Sequence, residues 1–114
     1  MSEIVEVALF TDDVDAGVGF YRVLLDAEPA AEWPGGAIFA AGSAKVLIHD
    51  RAAGTDGGPP NEDHVAVAVP DLDAACKRVQ DRGFALLVEP QSFPWGRSAY
   101  LRDPDGRLVE LTQQ

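Results

Sequence analysis

Apolar and polar residues alternate between positions 3 and 11, and this alternation predicts a β-strand with two different faces. The purely apolar face consists of Val5, Val7 and Leu9. The mixed face consists of Ile4, Glu6, Ala8 and Phe10. Apolar residues then recur at helical spacing from Val14 to Leu25, directly after Asp12 and Asp13, either of which can cap a helix. A strand followed by a helix is therefore expected at the start of the chain.

Three short strands are predicted after this helix, because PGG and GS turns separate runs of strand-forming residues there. The three strands are 28–33, 37–41 and 44–50. A second helix is predicted from Asp71 or Leu72 up to Gly83, which ends it. The strands predicted around the second helix are 63–69, 84–89, 98–102 and 107–112.

The two halves of the chain repeat one another. EVALFTDDVDA at 6–16 matches HVAVAVPDLDA at 64–74, and AKVLIHD at 44–50 matches RLVELTQ at 107–113. Each half is therefore predicted to contain one strand, one helix and three further strands, which is a βαβββ module.

The repeat predicts an α+β fold in a single domain. We expect this domain to span residues 1–114 and to consist of modules 1–50 and 61–114. Residues 51–60 contain the Gly/Pro-rich stretch AAGTDGGPP without any periodicity, which is typical of a linker.

The stretch DPDG at 103–106 predicts a tight turn between the last two strands. Pro104 presets the φ angle of the turn, and Gly106 provides the left-handed position that closes it. Pairing outward from a three-residue loop sets Tyr100 opposite Glu110. One face of this hairpin is then purely apolar, with Ala99, Leu101, Val109 and Leu111. The other face carries a phenol and a carboxylate in its middle, which a structural role alone does not require.

Length and composition limit the function classes. A chain of 114 residues with 46% hydrophobic residues is expected to form one globular domain without a membrane span or a secretory signal. The net charge of −10 argues against nucleic acid and anionic membranes as partners. The acidity indicates either a halophilic protein, adapted to high salt, or a surface that attracts a cationic ligand. The single cysteine, Cys76, fits the cytoplasm and is interpreted as a buried structural thiol.

Residues with catalytic chemistry fall at equivalent positions of the two modules, on the face away from the predicted helices. They are Glu6, which is equivalent to His64, and Glu110. The equivalent of Glu110 in the first module is Leu47, which has no such chemistry. Imidazole and carboxylate groups together suit Mn, Fe, Co, Ni or Zn, so the sequence predicts a divalent metal site. A structural interpretation is also open, in which the glutamates are solvated or paired with Arg97 or Arg102 and His64 is a core histidine.

These residues and the segments around them resemble the vicinal oxygen chelate superfamily. The segments are EVALFTDDVDAGVGFYRVLL, DHVAVAVPDLDAACKRVQDRG and YLRDPDGRLVEL. The superfamily includes glyoxalase I, extradiol dioxygenases, fosfomycin-resistance enzymes and bleomycin-resistance proteins. The resemblance implies two βαβββ modules that form a cupped mixed sheet with the helices on its outer face. It also implies a homodimer.

The resemblance assigns roles to individual residues. It implies Glu6, His64 and Glu110 as metal ligands, whereas Leu47 departs from the four-ligand pattern. Tyr100 is expected to act as a proton donor or a hydrogen-bond partner, and His49 to act as a base or an extra ligand. The expected substrate contacts are Phe10, Leu47, Trp95, Ser98 and Arg102.

Three functions stay open on the sequence. The first is a metal-dependent enzyme that acts on a small oxygen-rich substrate as an isomerase, lyase or dioxygenase. The second is a metal-free protein of the bleomycin-resistance type, in which Trp33, Phe93 and Trp95 help to hold a cationic or aromatic ligand. The third is a dimer that binds a partner and has no chemistry. A small-molecule substrate or ligand is expected in the first two cases.

Overall fold

The computed structural model describes residues 1–52 and 58–114. Five residues of the predicted linker 51–60, residues 53–57, lie outside the described residues. The chain forms two compact units. The first unit is Val5–Asp63, and the second consists of Met1–Ile4 and His64–Gln114.

The first unit contains one helix and a mixed sheet. The elements are β1 (Glu3–Thr11, of which Glu3 and Ile4 belong to the second unit), α1 (Val14–Leu25), β2 (Ala31–Trp33), β3 (Gly36–Ala41) and β4 (Ala44–Asp50). The strand order is β2-β3-β4-β1. Strand β1 pairs with β4 in parallel, and the other pairs are antiparallel.

The second unit repeats this plan. Its elements are β5 (His64–Val69), α2 (Leu72–Asp81), β6 (Leu86–Phe93), β7 (Gly96–Arg102) and β8 (Leu108–Gln113). The strand order is β5-β8-β7-β6, with β5 parallel to β8 and the other pairs antiparallel. The predicted α+β class with two βαβββ modules is thereby confirmed. No helix in residues 1–52 and 58–114 is long and apolar enough to cross a membrane.

Each helix begins at an aspartate cap and covers the apolar face of its own sheet. The side chain of Asp13 accepts a hydrogen bond from the backbone N–H of Ala16, and Asp71 does the same for Ala74. Core residues on α1, β3 and β4 include Val18, Phe39 and Ile48. Core residues of the second unit include Val69, Leu72, Ala75, Cys76 and Ala99, so Cys76 is buried as predicted.

Most predicted strands agree with the structure to within two residues at each end, and two of them differ by more. The strand predicted at 28–33 begins only at Ala31, because Pro29 offers no backbone N–H to a sheet. The strand predicted at 84–89 runs from Leu86 to Phe93 and contains Pro90. Strand β6 is the last strand of its sheet and its register shifts between Val88 and Gln91, which is where a proline can be accommodated.

The last hairpin has the predicted register. The backbone N–H of Asp103 donates to the carbonyl oxygen of Arg107, and Gly106 closes the loop at a φ of 88°. Tyr100 consequently pairs with Glu110 across β7 and β8. Since side chains alternate between the two faces of a strand, Tyr100 and Glu110 lie on the face opposite α2.

Candidate active site

Glu110 is the centre of the candidate site. It lies in the middle of β8, between Ala66 on β5 and Tyr100 on β7, and only 5% of its surface is exposed. Its position is a consequence of the sheet order, because β8 has a neighbour on both sides. A carboxylate in such a position requires hydrogen-bond donors, since an unpaired buried charge is very costly.

Three side chains of the same unit provide these donors or partners. Oε1 of Glu110 is 3.3 Å from Nε2 of His64. Oε2 accepts hydrogen bonds from the Oγ hydroxyl of Ser98 at 2.8 Å and from the indole Nε1–H of Trp95 at 3.2 Å. Both carboxylate oxygens are therefore engaged by the protein.

The local sequence explains how these partners reach Glu110. His64 is the first residue of β5, two positions before Ala66, so both lie on the same face of the sheet. Ser98 is fully buried on β7, two positions before Tyr100, and lies on that face for the same reason. Trp95 occupies the loop of the β6–β7 hairpin, which brings its indole to the carboxylate from beyond the strand end.

The environment keeps Glu110 ionised. Burial by itself raises the pKa of its carboxyl group, but the hydrogen bond from His64 opposes this effect. The hydrogen bonds from Ser98 and Trp95 act in the same direction, and the pKa ends below its ordinary value of 4.5. The site thus contains a buried carboxylate that is charged at neutral pH.

Aromatic rings enclose the pair of His64 and Glu110. Tyr100 is 1% exposed, and its ring meets the His64 imidazole edge to face at a centroid distance of 5.8 Å. Phe93 contacts Tyr100 in the same way at 6.0 Å. Phe93 also stacks on Trp95, with centroids 4.7 Å apart and planes at 2°. The histidine and the carboxylate are therefore set in a largely apolar, aromatic surrounding.

Neither arginine considered as a partner of Glu110 has that role. Arg97 pairs with Asp73 at 3.0 Å. Arg102 is exposed and donates to the carbonyl oxygen of Gly106 at 3.0 Å. Glu110 is neither solvated nor near the strand end, so the structural interpretation given above for this residue is wrong. The expected role of Arg102 in orienting a substrate stays a prediction.

The remaining candidate residues belong to the first unit. Glu6 is half-buried on β1, two positions before the fully buried Ala8. Leu47 on β4 pairs with Ala8 and with Ile38, so this position is surrounded by apolar residues. Glu110 occupies the equivalent position of the second unit. The repeat predicts this difference, with a leucine in one module and a glutamate in the other.

His49 and Phe10 also lie together in the first unit. They are paired across β1 and β4, and their rings are 5.2 Å apart. Nδ1 of His49 is 2.9 Å from the carbonyl oxygen of Asp50. That contact occupies one ring nitrogen and leaves Nε2 as the atom with which His49 could act as a base. The roles predicted for Glu6, Leu47, His49 and Phe10 stay predictions.

The pair of His64 and Glu110 fits two positions around a divalent metal ion. Ligand atoms at about 2.1 Å from a shared ion lie about 3 Å apart when they occupy neighbouring coordination positions. Nε2 of His64 and Oε1 of Glu110 are 3.3 Å apart, and imidazole with carboxylate is a suitable donor set. Among the described residues, no group of three or more His, Cys, Asp and Glu side chains forms a ready metal site. The described residues therefore contain two side chains that are placed to bind one ion, rather than a complete set of ligands.

Two features of the site were not predicted from the sequence. The predicted strand 84–89 ends before Phe93, whereas β6 extends to Phe93 and places its ring between Trp95 and Tyr100. The hydrogen bond from Trp95 to Glu110 was also missed. Its only sequence signal is the FPWG stretch at 93–96, which is typical of a hairpin loop with an aromatic residue at its tip.

An apolar groove of about 270 Å³ lies on the opposite, helix-bearing side of the second unit. Val79 and Leu101 line it, together with Val109 and Leu111. In the first unit, larger residues occupy the positions of Val79 and Leu101. They are Tyr21 and Phe39, whose rings are 6.5 Å apart. The groove is therefore explained by Val79 and Leu101, which are smaller than the equivalent residues of the first unit. It is separate from the candidate site at Glu110.

Comparisons with known proteins agree with this fold. The family model of the Glyoxalase/Bleomycin resistance protein/Dioxygenase superfamily matches residues 3–111. Streptomyces coelicolor methylmalonyl-CoA epimerase superimposes with a TM-score of 0.76 at 22% identity, over 98% of this chain and 94% of that chain. At this identity the likeness concerns the fold alone.

Two relatives have higher sequence identity. Anthracycline biosynthesis protein DauV of Streptomyces sp. (strain C5) is 35% identical over 116 aligned positions, which cover 94% of this chain and 41% of DauV. Lactoylglutathione lyase of Pseudomonas aeruginosa is 40% identical over 50 positions, which cover 44% of this chain and 28% of that enzyme. The match thus covers less than half the length of each relative. With the family model matching 3–111, the chain belongs to the Glyoxalase/Bleomycin resistance protein/Dioxygenase superfamily.

Proposed function

We propose that this protein is a small enzyme whose chemistry takes place at Glu110 and His64, on a small oxygen-rich substrate. The observation that carries the proposal is the buried, ionised carboxylate of Glu110 on the face that no helix of its unit covers. Buried ionisable groups whose pKa is shifted by specific partners cluster at functional sites. The apolar Leu47 at the equivalent position of the first unit supports this interpretation, because the fold itself does not need a carboxylate there.

A divalent ion, Mn, Fe, Co, Ni or Zn, is the proposed cofactor. His64 and Glu110 would hold it, and Glu6 stays a ligand predicted from the sequence. When bound, such an ion polarises the oxygen atoms of a substrate as a Lewis acid. Ser98 and Trp95 hold Oε2 of Glu110 and so fix the orientation of the carboxylate, which leaves Oε1 directed at His64.

Tyr100 and His49 are the proposed proton-transfer residues. The Tyr100 ring is buried against the His64 imidazole, where its hydroxyl group can act as a proton donor. His49 is part-buried beside Phe10 and has Nε2 available as a base or as an extra ligand. Isomerase, lyase and dioxygenase chemistry are all compatible with these groups. The name lactoylglutathione lyase among the similar proteins supports an enzyme. A homodimer and a cytoplasmic location stay predictions.

A second candidate function is a metal-free binding protein of the bleomycin-resistance type. It is favoured by the hydrogen bonds of Glu110, because the protein alone satisfies both carboxylate oxygens. The stacked rings of Phe93 and Trp95 and the net charge of −10 suit a cationic or aromatic ligand. The two functions differ in whether Glu110 binds a metal ion.

Metal binding by three proteins tests the proposal. Wild type, Glu110→Leu and Glu89→Leu are dialysed against Mn, Fe, Co, Ni and Zn, and bound metal is measured by mass spectrometry. Glu110→Leu introduces the residue that occupies the equivalent position 47, and Glu89→Leu makes the same change at an exposed position of β6. We expect about one ion per chain in wild type and in Glu89→Leu, and at least about tenfold less in Glu110→Leu.

The other outcomes contradict the metal-dependent enzyme. Wild-type protein that takes up none of the five metals would favour the metal-free binding protein. Metal that stays bound in Glu110→Leu would show that Glu110 is not a ligand.

A further inference from the structure

The apolar groove on the helix-bearing side of the second unit has no part in the proposed chemistry. Its volume is about 270 Å³, and Val79 of α2 lines it together with Leu101 of β7 and with Val109 and Leu111 of β8. Phe84, which follows α2 and is 49% exposed, lines it as well. An apolar cavity of about 150 Å³ is already large enough to hold benzene. The groove can therefore accept a molecule that carries one ring.

The first unit shows which groups fill the same space in this fold. Tyr21 lies as far from the start of α1 as Val79 lies from the start of α2, and Phe39 of β3 has the place of Leu101 of β7. The rings of Tyr21 and Phe39 are 6.5 Å apart, and Phe39 is fully buried, whereas Leu101 is only half-buried. Aromatic side chains of the protein itself thus occupy, in one module, the space that is open in the other.

The charged residues of the groove offset one another. Arg102 and Asp103 carry opposite charges, and both form hydrogen bonds within the β7–β8 turn. Arg102 donates to the carbonyl oxygen of Gly106 at 3.0 Å, and Asp103 accepts from the backbone N–H of Arg107 at 2.8 Å. A charged ligand would be attracted by one of the two lining residues and repelled by the other, while the apolar lining removes its hydration. The groove therefore selects a neutral molecule.

We propose that this groove is a binding site for a neutral small molecule with one apolar ring, of the kind of a substituted phenol. The burial of such a ring removes apolar surface of both partners from water. The site is independent of the proposed function, because Leu101, Val109 and Leu111 lie on the other face of the sheet from Glu110. A suitable probe is p-cresol, which is the tyrosine side chain as a free molecule.

Methyl signals of wild-type protein in ¹H–¹³C spectra provide the first test. Titration with p-cresol should shift the methyl signals of Val79, Leu101 and Val109 to saturation, with a dissociation constant of about 1 mM or lower. The methyl signals of Val46 and Ile48, in the filled core of the first unit, should not move. The anion 4-methylbenzoate should bind at least about tenfold more weakly. No shift in the groove, equal shifts in both units, or equal affinity for the anion would overturn the proposal.

A double variant that fills the groove provides the second test. Val79→Tyr/Leu101→Phe gives the second unit the two rings that the first unit has at these positions. The introduced rings should take up the space and weaken p-cresol binding at least about tenfold. Thermal unfolding followed by circular dichroism shows whether the variant is folded. A folded variant with the p-cresol affinity of wild type would overturn the proposal.

A milder pair of variants keeps the proposal testable if the double variant does not fold. Val109→Thr keeps the shape of the side chain but places a hydroxyl group in the groove, so p-cresol should bind at least about threefold more weakly. Val46→Thr makes the same change at the equivalent position of the first unit and should leave the affinity within about twofold. Equal effects of the two changes would overturn the proposal.

Sedimentation velocity tests whether a second copy of the chain covers the groove instead. Wild-type protein and Val79→Tyr/Leu101→Phe should have the same oligomeric state, and p-cresol should not alter it. If Val109→Thr takes the place of the double variant, the same result is expected. An assembly of wild-type protein that dissociates in the variant or with p-cresol would show that the groove belongs to an interface between copies, and would overturn the proposal.

Discussion

At the scale of single residues, Glu110 couples stability to pH. Burial raises the pKa of its carboxyl group, but hydrogen bonds from His64 and Ser98 bring it below the ordinary value of 4.5. A group whose pKa is lower in the folded than in the unfolded chain stabilises the fold above its unfolded-state pKa. That contribution disappears as the pH falls through the lower, folded-state pKa. The stabilisation by Glu110 is therefore complete at neutral pH and is lost in acid below 4.5.

Glu110→Gln tests this dependence, because it removes the charge and keeps the size of the side chain. At about pH 7 the variant should be less stable than wild type by about 1.5–3 kcal/mol, the range for a hydrogen bond to a charged group. The difference should shrink as the pH falls below 4.5, where wild-type Glu110 becomes protonated as well. Urea unfolding across this pH range measures it, with the exposed Glu89→Gln as the control. A difference that stays constant in acid would contradict the prediction.

The sequence predicted which side chain is central but not what holds it. Alternation along the last strand and the DPDG turn together place Glu110 on the helix-free face beside Tyr100, as observed. The hydrogen bonds from Ser98 and Trp95 depend on how the β6–β7 loop approaches the sheet, which periodicity does not describe. The pairing of Glu110 with Arg97 that the structural interpretation allowed is wrong for the same reason, since Arg97 pairs with Asp73.

At the scale of elements, two glycines are expected to respond in opposite directions to alanine. Gly19 lies inside α1, and a Cβ atom there would meet nothing within 4 Å. Gly19→Ala should therefore stabilise the protein by about 0.5–1 kcal/mol. Gly106 closes the β7–β8 turn at a φ of 88°, so Gly106→Ala should destabilise it by about 1 kcal/mol or more. Urea unfolding of both variants measures the signs, and a shared sign would contradict the prediction.

The elements themselves were largely predictable because each follows a local rule. Aspartate caps and apolar spacing located both helices, and turn residues located most strands. The misplaced bounds of β2 and β6 lie beside Pro29 and Pro90. Whether a proline excludes a segment from a sheet depends on which strand lies at the sheet edge, and that is a property of the assembled unit.

At the scale of the whole molecule, the internal repeat predicted the order of the elements and the contrast between the modules. Positions 47 and 110 have the same place in the two sheets, yet one is leucine and the other a glutamate. The repeat could not predict which partners gather around Glu110, because Gly35 and Trp95 differ in the loops where the modules depart from each other. Residue differences at equivalent positions of the two modules therefore indicate the candidate site more clearly than the sequence of either module alone.

Charge is the other whole-molecule property with a measurable consequence. Nineteen acidic side chains face nine basic ones. At least five of the basic side chains already form ion pairs with carboxylates, at Arg22, Arg51, Lys77, Arg97 and Arg107. The remaining carboxylates repel one another across the surface. Salt screens this repulsion, since the Debye length falls from about 30 Å at about 0.01 M to about 10 Å at about 0.1 M.

Stability should therefore rise with salt. Between about 0.01 M and about 0.5 M NaCl we expect a gain of about 1 kcal/mol, or roughly 4 °C in Tm for a domain of this size. Salt also weakens the exposed ion pairs, but such pairs contribute little. The double variant Glu3→Gln/Glu89→Gln removes two exposed charges and should show a smaller rise. A Tm that is unchanged or lower in salt would contradict the prediction and with it adaptation to high salt.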